Sequence, residues 1–154
     1  MSATIRERVN EGLKAAMKSQ DKRRISTLRL INAAVKDRII HNRGAGKGDE
    51  LDDAELLDIL ARMIKQREES QQVYEQAGRL ELAEQEREEI AVIREFMPRQ
   101  LSEAEVQTAV DGIIAELGAS GLKDMGRVMA ELKSRHAGAL DVAKAGAIAK
   151  EKLK

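Results

Sequence analysis

Cysteine and tryptophan are absent from the 154 residues, Tyr74 and Phe96 are the only aromatic side chains, and Pro98 is the sole proline. Without cysteine there is no disulfide, no thiolate nucleophile and no cysteine-based zinc site, which fits a reducing compartment. Without aromatics the core must be built from Leu, Ile, Val, Met and Ala, the side chains of helix packing, so a β-rich fold is not expected. No apolar run is long enough to span a bilayer. The stretch Met1 to Glu11 mixes Arg6 and Arg8 with Glu7 and Glu11, which is not the basic-then-apolar order of a signal peptide. Cytoplasmic residence is the expectation.

What is present, 42% hydrophobic and 35% charged residues, is the composition of an ordinary globular chain with a modest core. The formal charge of zero hides an asymmetry. Residues 14–48 carry ten basic and two acidic side chains, a net +8, whereas residues 49–95 carry six basic and fifteen acidic, a net −9.

Apolar spacing and caps predict an all-α chain of two domains, a helical domain over 1–97 and a three-helix domain over 98–154. Thr4 with Glu7 reads as a capping box, and Ile5, Val9, Leu13 and Met17 carry a first helix to about Ser19. Asp21 caps a second helix with the seam Ile25, Leu28, Ile31, Val35 and Ile39, fraying by His41. The glycine-rich stretch 42–50 reads as a mobile loop. Asp52 and Glu55 open a third helix through Leu56, Leu60, Met63, Ile64 and Val73 to about Ala77, with Gly78 at its C′ position. The fourth, from about Leu80 to Phe96, is expected to bury Ile90, Ile93 and Met97 and to expose Glu81, Glu84, Glu86, Glu88 and Glu89. Pro98 stops it, since the residue before a proline is pushed out of the α region.

In the second domain Ser102 and Glu105 form a capping box and Leu101 is placed to staple against Val106, opening a helix that ends near Gly118. A helix through Met125, Val128, Met129 and Leu132 follows, closed by Gly138, and Asp141 caps a last helix through Val142, Ile148 and Leu153. Three short helices bury little surface, so this domain is expected to be marginal alone.

Catalytic constellations are hard to assemble. His41 and His136 fall in different domains, with no ligand-spaced Cys, Asp or Glu on a shared helix face, so neither a metal nor another cofactor is expected. There is no Gly-x-Ser-x-Gly elbow, and Gly44-Ala45-Gly46-Lys47-Gly48 has the lysine of a phosphate loop without its spacing or preceding strand. The sharpest feature is on the second helix, where Lys22, Arg29, Lys36 and Arg43 recur every seven residues. Seven residues drift only about 20° and rise about 10.5 Å, so these cations form a nearly straight row, thickened by Arg23, Arg24, Arg38 and Lys47. Such a row suits contact with a phosphate backbone. With almost no aromatics to stack on unpaired bases, the expected nucleic acid is one read by shape and phosphates. Two arrangements stay open: an exposed row, or a row paired internally with the acidic segment. A second candidate is Lys123-Asp124-Met125-Gly126-Arg127, where a glycine inside a helical pattern reflects either close helix packing over Gly126 or backbone access for a phosphate beside Arg127.

Three stretches, Leu28-Arg29-Leu30-Ile31-Asn32-Ala33-Ala34, Phe96-Met97-Pro98-Arg99-Gln100-Leu101-Ser102 and Lys123-Asp124-Met125-Gly126-Arg127-Val128-Met129, together with Gly138 and Asp141, resemble the GatB/YqeY family over essentially the whole chain. Members commonly carry Arg-Ala-Asp-Gly before the last helix; here Ala139-Leu140-Asp141-Val142 stands instead, so an RNA contact from that arginine is not carried over. The resemblance implies an all-helical domain followed by a small three-helix one. It also implies kinship with the tail of the tRNA-dependent amidotransferase B subunit, which approaches the body of tRNA without performing catalysis. The expectation is therefore a non-catalytic accessory protein that holds tRNA for an aminoacyl-tRNA synthetase or amidotransferase. Its alternatives are a helical protein–protein adaptor and, weakest, a carbon–nitrogen ligase with glutamine as amido donor.

Overall fold

A computed structural model describes residues 4–48 and 50–154. The readings that fall on Met1–Ala3 and on Asp49 in the 42–50 loop lie outside the described residues. Seven α-helices and one short 3-10 turn account for the regular structure, and the described residues contain no strand. They divide between Met97 and Pro98 into two compact units.

The first unit holds α1 (Ile5–Ser19), α2 (Lys22–Gly44), α3 (Asp53–Gln76) and α4 (Leu80–Arg94). The Thr4 hydroxyl accepts from the Glu7 amide at 3.1 Å and the Glu7 carboxylate accepts from the Thr4 amide at 3.3 Å, so the box that opens α1 is reciprocal. α1 ends on Gln20, whose φ of 59° is left-handed. The Gln20 amide donates to Met17 O and the Asp21 amide to Ala16 O, the paired bonds of a Schellman turn. Asp21 then caps α2, its carboxylate accepting from Arg24 N at 3.1 Å, so one residue closes one helix and opens the next.

The core of this unit gathers Val9, Leu28, Ile31, Val35, Leu56, Leu60, Ile93 and Phe96. Three expectations of the seams are corrected. Met17 is exposed and Ala16 is buried in its place, because eleven residues from Ile5 return within about 20° of the same helix face whereas twelve overshoot by about 120°. Val73, beyond the buried part of α3, is exposed. Glu89, grouped with the solvated acidic face of α4, is buried: its carboxylate accepts from Arg67 Nε at 3.0 Å, and Arg67 also donates to Met63 O. α2 does not fray at His41 but continues to Gly44, since the buried Asn42 amide donates to Glu55 of α3 at 3.0 Å and holds the last turn down.

The second unit holds α5 (Glu103–Leu117), the 3-10 turn Leu122–Asp124, α6 (Met125–Arg135) and α7 (Val142–Leu153). Ser102 and Glu105 form the reciprocal box, and Leu101 packs on the same cluster as Val106. The core is thinner: Val110, Ile113, Val128 and Leu132 close on Ala145 and Ala149, while Val142 at the start of α7 is exposed. The segment after Pro98 is bonded into this unit, with Arg99 forking onto Glu105 at 2.9 and 2.7 Å, Gln100 donating to Gly138 O and the Leu101 amide donating to Ala139 O at 2.8 Å.

Candidate nucleic-acid interface

α2 needs one buried stripe, and Leu28, Ile31 and Val35 supply it. The 3.6-residue period then places Lys22, Arg29 and Lys36 on the far side, where each is exposed and makes no hydrogen bond or ion pair with any described residue. Successive members are separated by about 10.5 Å along the axis. Arg43 continues the row, also exposed, and is engaged in an interaction of its own. Lys47 follows in the loop, exposed. Asp37 is the single acidic side chain of the helix.

The cations that flank the row behave differently. Arg23 donates to Glu88 at 3.1 Å and lies 3.9 Å from Glu89; Arg24 donates to Glu95 at 2.5 Å; Arg38 donates to Asp58 at 2.9 Å. The hydrogen bond that Arg24 donates to Glu95 holds its guanidinium above its already high range despite partial burial. Asp58 is partly desolvated, which opposes ionisation, yet hydrogen bonds and charge from Arg38 and Arg62 bring its carboxyl below the usual range. The acidic helices α3 and α4 thus neutralise the arginines that border the core and leave Lys22, Arg29 and Lys36 alone. The two arrangements open at the sequence level are both realised, on adjacent residues of one helix.

In the second unit Asp124 is buried, its carboxylate accepting from the Ser120 amide at 2.9 Å and from Arg127 at 2.8 Å; these bonds, the backbone one foremost, hold it below the usual carboxylate range. Arg127 remains 58% exposed at its side chain despite this pair, and Lys123 is exposed. Outside its chain neighbours and the backbone of its own helix, no described heavy atom lies within 4 Å of where a Cβ would stand on Gly126. Close helix packing therefore does not explain that glycine.

Sequence reasoning missed a groove at the corner of α1 and α2, where the exposed Met17 and Leu30 lie beside Lys22 and Arg29. The available signal was an apolar side chain one position off the buried stripe on each helix. Among the described residues no group of three or more His, Cys, Asp or Glu is placed to hold a metal ion, and no helix is long and apolar enough to cross a membrane.

Comparison with known proteins bears on the whole of both units. The family of YqeY-like proteins matches residues 6–153. This chain belongs to that family. A YqeY-like relative in Lachancea thermotolerans, the mitochondrial protein called altered inheritance of mitochondria protein 41, is 30% identical over 111 residues, 71% of this chain and 57% of that protein. The chain therefore spans little more than half the length of this curated relative.

Proposed function

We propose that this YqeY-like chain is a non-catalytic accessory protein that binds structured RNA, tRNA foremost, through the outer face of α2, for a partner enzyme that acts on it. The observation that carries this reading is the division of labour on α2: Arg23, Arg24 and Arg38 are neutralised by α3 and α4, while Lys22, Arg29 and Lys36 stand exposed, in register, with no described partner. Three unneutralised cations on a straight line keep condensed counterions or displace those of a polyanion, and the second case gives affinity. Lys123 and Arg127, with the open backbone at Gly126, add contacts from the second unit in this reading.

The test is binding to bulk tRNA across a salt series. Log affinity should fall linearly with log salt, and replacing Lys22, Arg29 and Lys36 together by glutamine should flatten the slope by about three. Thermal stability should hardly change, since exposed charges contribute little to it. Unchanged affinity and slope in the triple variant would give the face to a protein partner instead. Glutamine incubated with the pure chain should release no ammonia; turnover that follows the protein through purification would restore the ligase alternative.

A further inference from the structure

The groove at the α1–α2 corner is an open hollow of about 740 Å³. Its floor is apolar, from Ile25 and from two side chains that a single chain has no reason to leave in water, Met17 at 50% exposure and Leu30 at 45%. Its rim carries Lys22 and Arg29, neither of them partnered by a described residue, and no acidic side chain lines it. Two uncharged polar groups complete it. The Ser26 hydroxyl donates to Arg23 O and keeps its lone pairs for an incoming donor. The Gln20 side-chain carboxamide has no described partner, and Gln20 is the one non-glycine residue at positive φ among the described residues. Glycine or asparagine would sit at that left-handed position with less strain. A glutamine there places a two-way hydrogen-bonding group at the mouth of an apolar, cation-rimmed hollow.

Resting on the RNA-binding reading, we propose that this groove takes one unpaired nucleotide of the bound RNA: its base against Met17, Ile25 and Leu30, its flanking phosphates on Lys22 and Arg29, and its base edge on the Gln20 amide and the Ser26 hydroxyl. The combination distinguishes this occupant. Phosphates alone would need only the row, and an apolar partner alone would not explain paired cations beside an idle amide. A polarisable thioether is suited to lie against a base ring where aromatics are lacking. Recognition is then of a structured RNA with an extruded base rather than of a uniform duplex.

The experiment compares two labelled RNA hairpins of the same stem and loop, one without and one with a single-nucleotide bulge in the stem, titrated with the full chain at fixed salt. The bulged hairpin should bind roughly tenfold more tightly, the gain expected when about 50 Å² of apolar surface leaves water. Leu30→Ser, at an exposed site, should abolish the preference while leaving the salt slope unchanged. Gln20→Gly should reduce the preference while holding or raising the thermal midpoint, an outcome that separates lost recognition from lost fold. Equal affinity for both hairpins in the unaltered chain overturns the groove assignment and leaves RNA binding intact. Failure to bind either hairpin or tRNA overturns both, and binding of an acidic helical peptide in an L30S-sensitive way, where neither RNA binds, would assign the groove to a protein.

Discussion

At the scale of single residues, Glu105 shows how a sequence cap becomes an electrostatic one. Arg99 donates both arms of its guanidinium to this carboxylate and the Ser102 amide adds a third bond, which brings the carboxyl down to about 2 from an ordinary 4.5. Because the folded value is depressed, the contribution to stability is complete above about pH 4.5 and is lost as pH falls towards 2. Thermal unfolding of Arg99→Gln from pH 7 downwards should therefore show a less stable protein at neutral pH whose curve converges with the wild type near pH 2; coincident curves would mean the fork contributes nothing, and displaced parallel ones that its contribution does not depend on the Glu105 charge. Gly126 offers a second residue-level test. Its helical backbone and open surroundings predict that Gly126→Ala raises stability by about 0.5–1 kcal/mol. Gly118→Ala, at a φ of 61°, should lower it. Denaturant midpoints of the two variants should move in opposite directions.

At the scale of elements, α2 has a buried face, a neutralised flank and an exposed outer face, and the flank is fixed by the helices it touches. The deepest pair in this region is Arg67 with Glu89, 13% and 10% exposed at their side chains, between α3 and α4. Breaking it from one side leaves a desolvated carboxylate, for which Arg23 at 3.9 Å is weak compensation. Arg67→Met should cost about 3 kcal/mol in urea unfolding, and the double variant R67M/E89L should recover most of it, since an apolar pair replaces the charges without leaving one unpaired. A loss in the double variant as large as in the single one would show that the arginine acts through packing alone.

At the scale of the whole molecule, the two cores share no residue and differ in depth. Leu28, Ile31, Leu56, Leu60 and Ile93 fill the first, whereas alanines close much of the second. Smaller buried area means cheaper opening. Native-state hydrogen exchange should show lower protection at Val110, Val128 and Leu132 than at Leu28, Ile31, Leu60 and Ile93. Limited proteolysis should cut first within Ala45–Gly48, which is exposed, and spare Leu101, whose amide is bonded to Ala139. Early cleavage at Leu101 would show that this bond opens readily.

Much of the fold is legible in the sequence because its signals are local. Thr4 with Glu7, Asp52 with Glu55, Ser102 with Glu105 and Asp141 act on amides within three residues, so their geometry follows from spacing alone. The seam Leu28, Ile31, Val35 likewise follows from the helical period. The period also sets Lys22, Arg29 and Lys36 on one line, but it cannot say which cations of α2 meet a carboxylate. That depended on where α3 and α4 lie, since Glu88, Glu95 and Asp58 reach Arg23, Arg24 and Arg38 from residues 65, 71 and 20 positions away. The burial of Glu89, the extension of α2 to Gly44 and the groove over Met17 and Leu30 have the same origin. What the sequence by itself determined was where helices begin, end and turn their apolar stripe, because those interactions lie within a turn or two. Only the tertiary structure decided which charges are neutralised and which stand without a partner among the described residues, because ion pairing depends on distances between helices that no local pattern encodes.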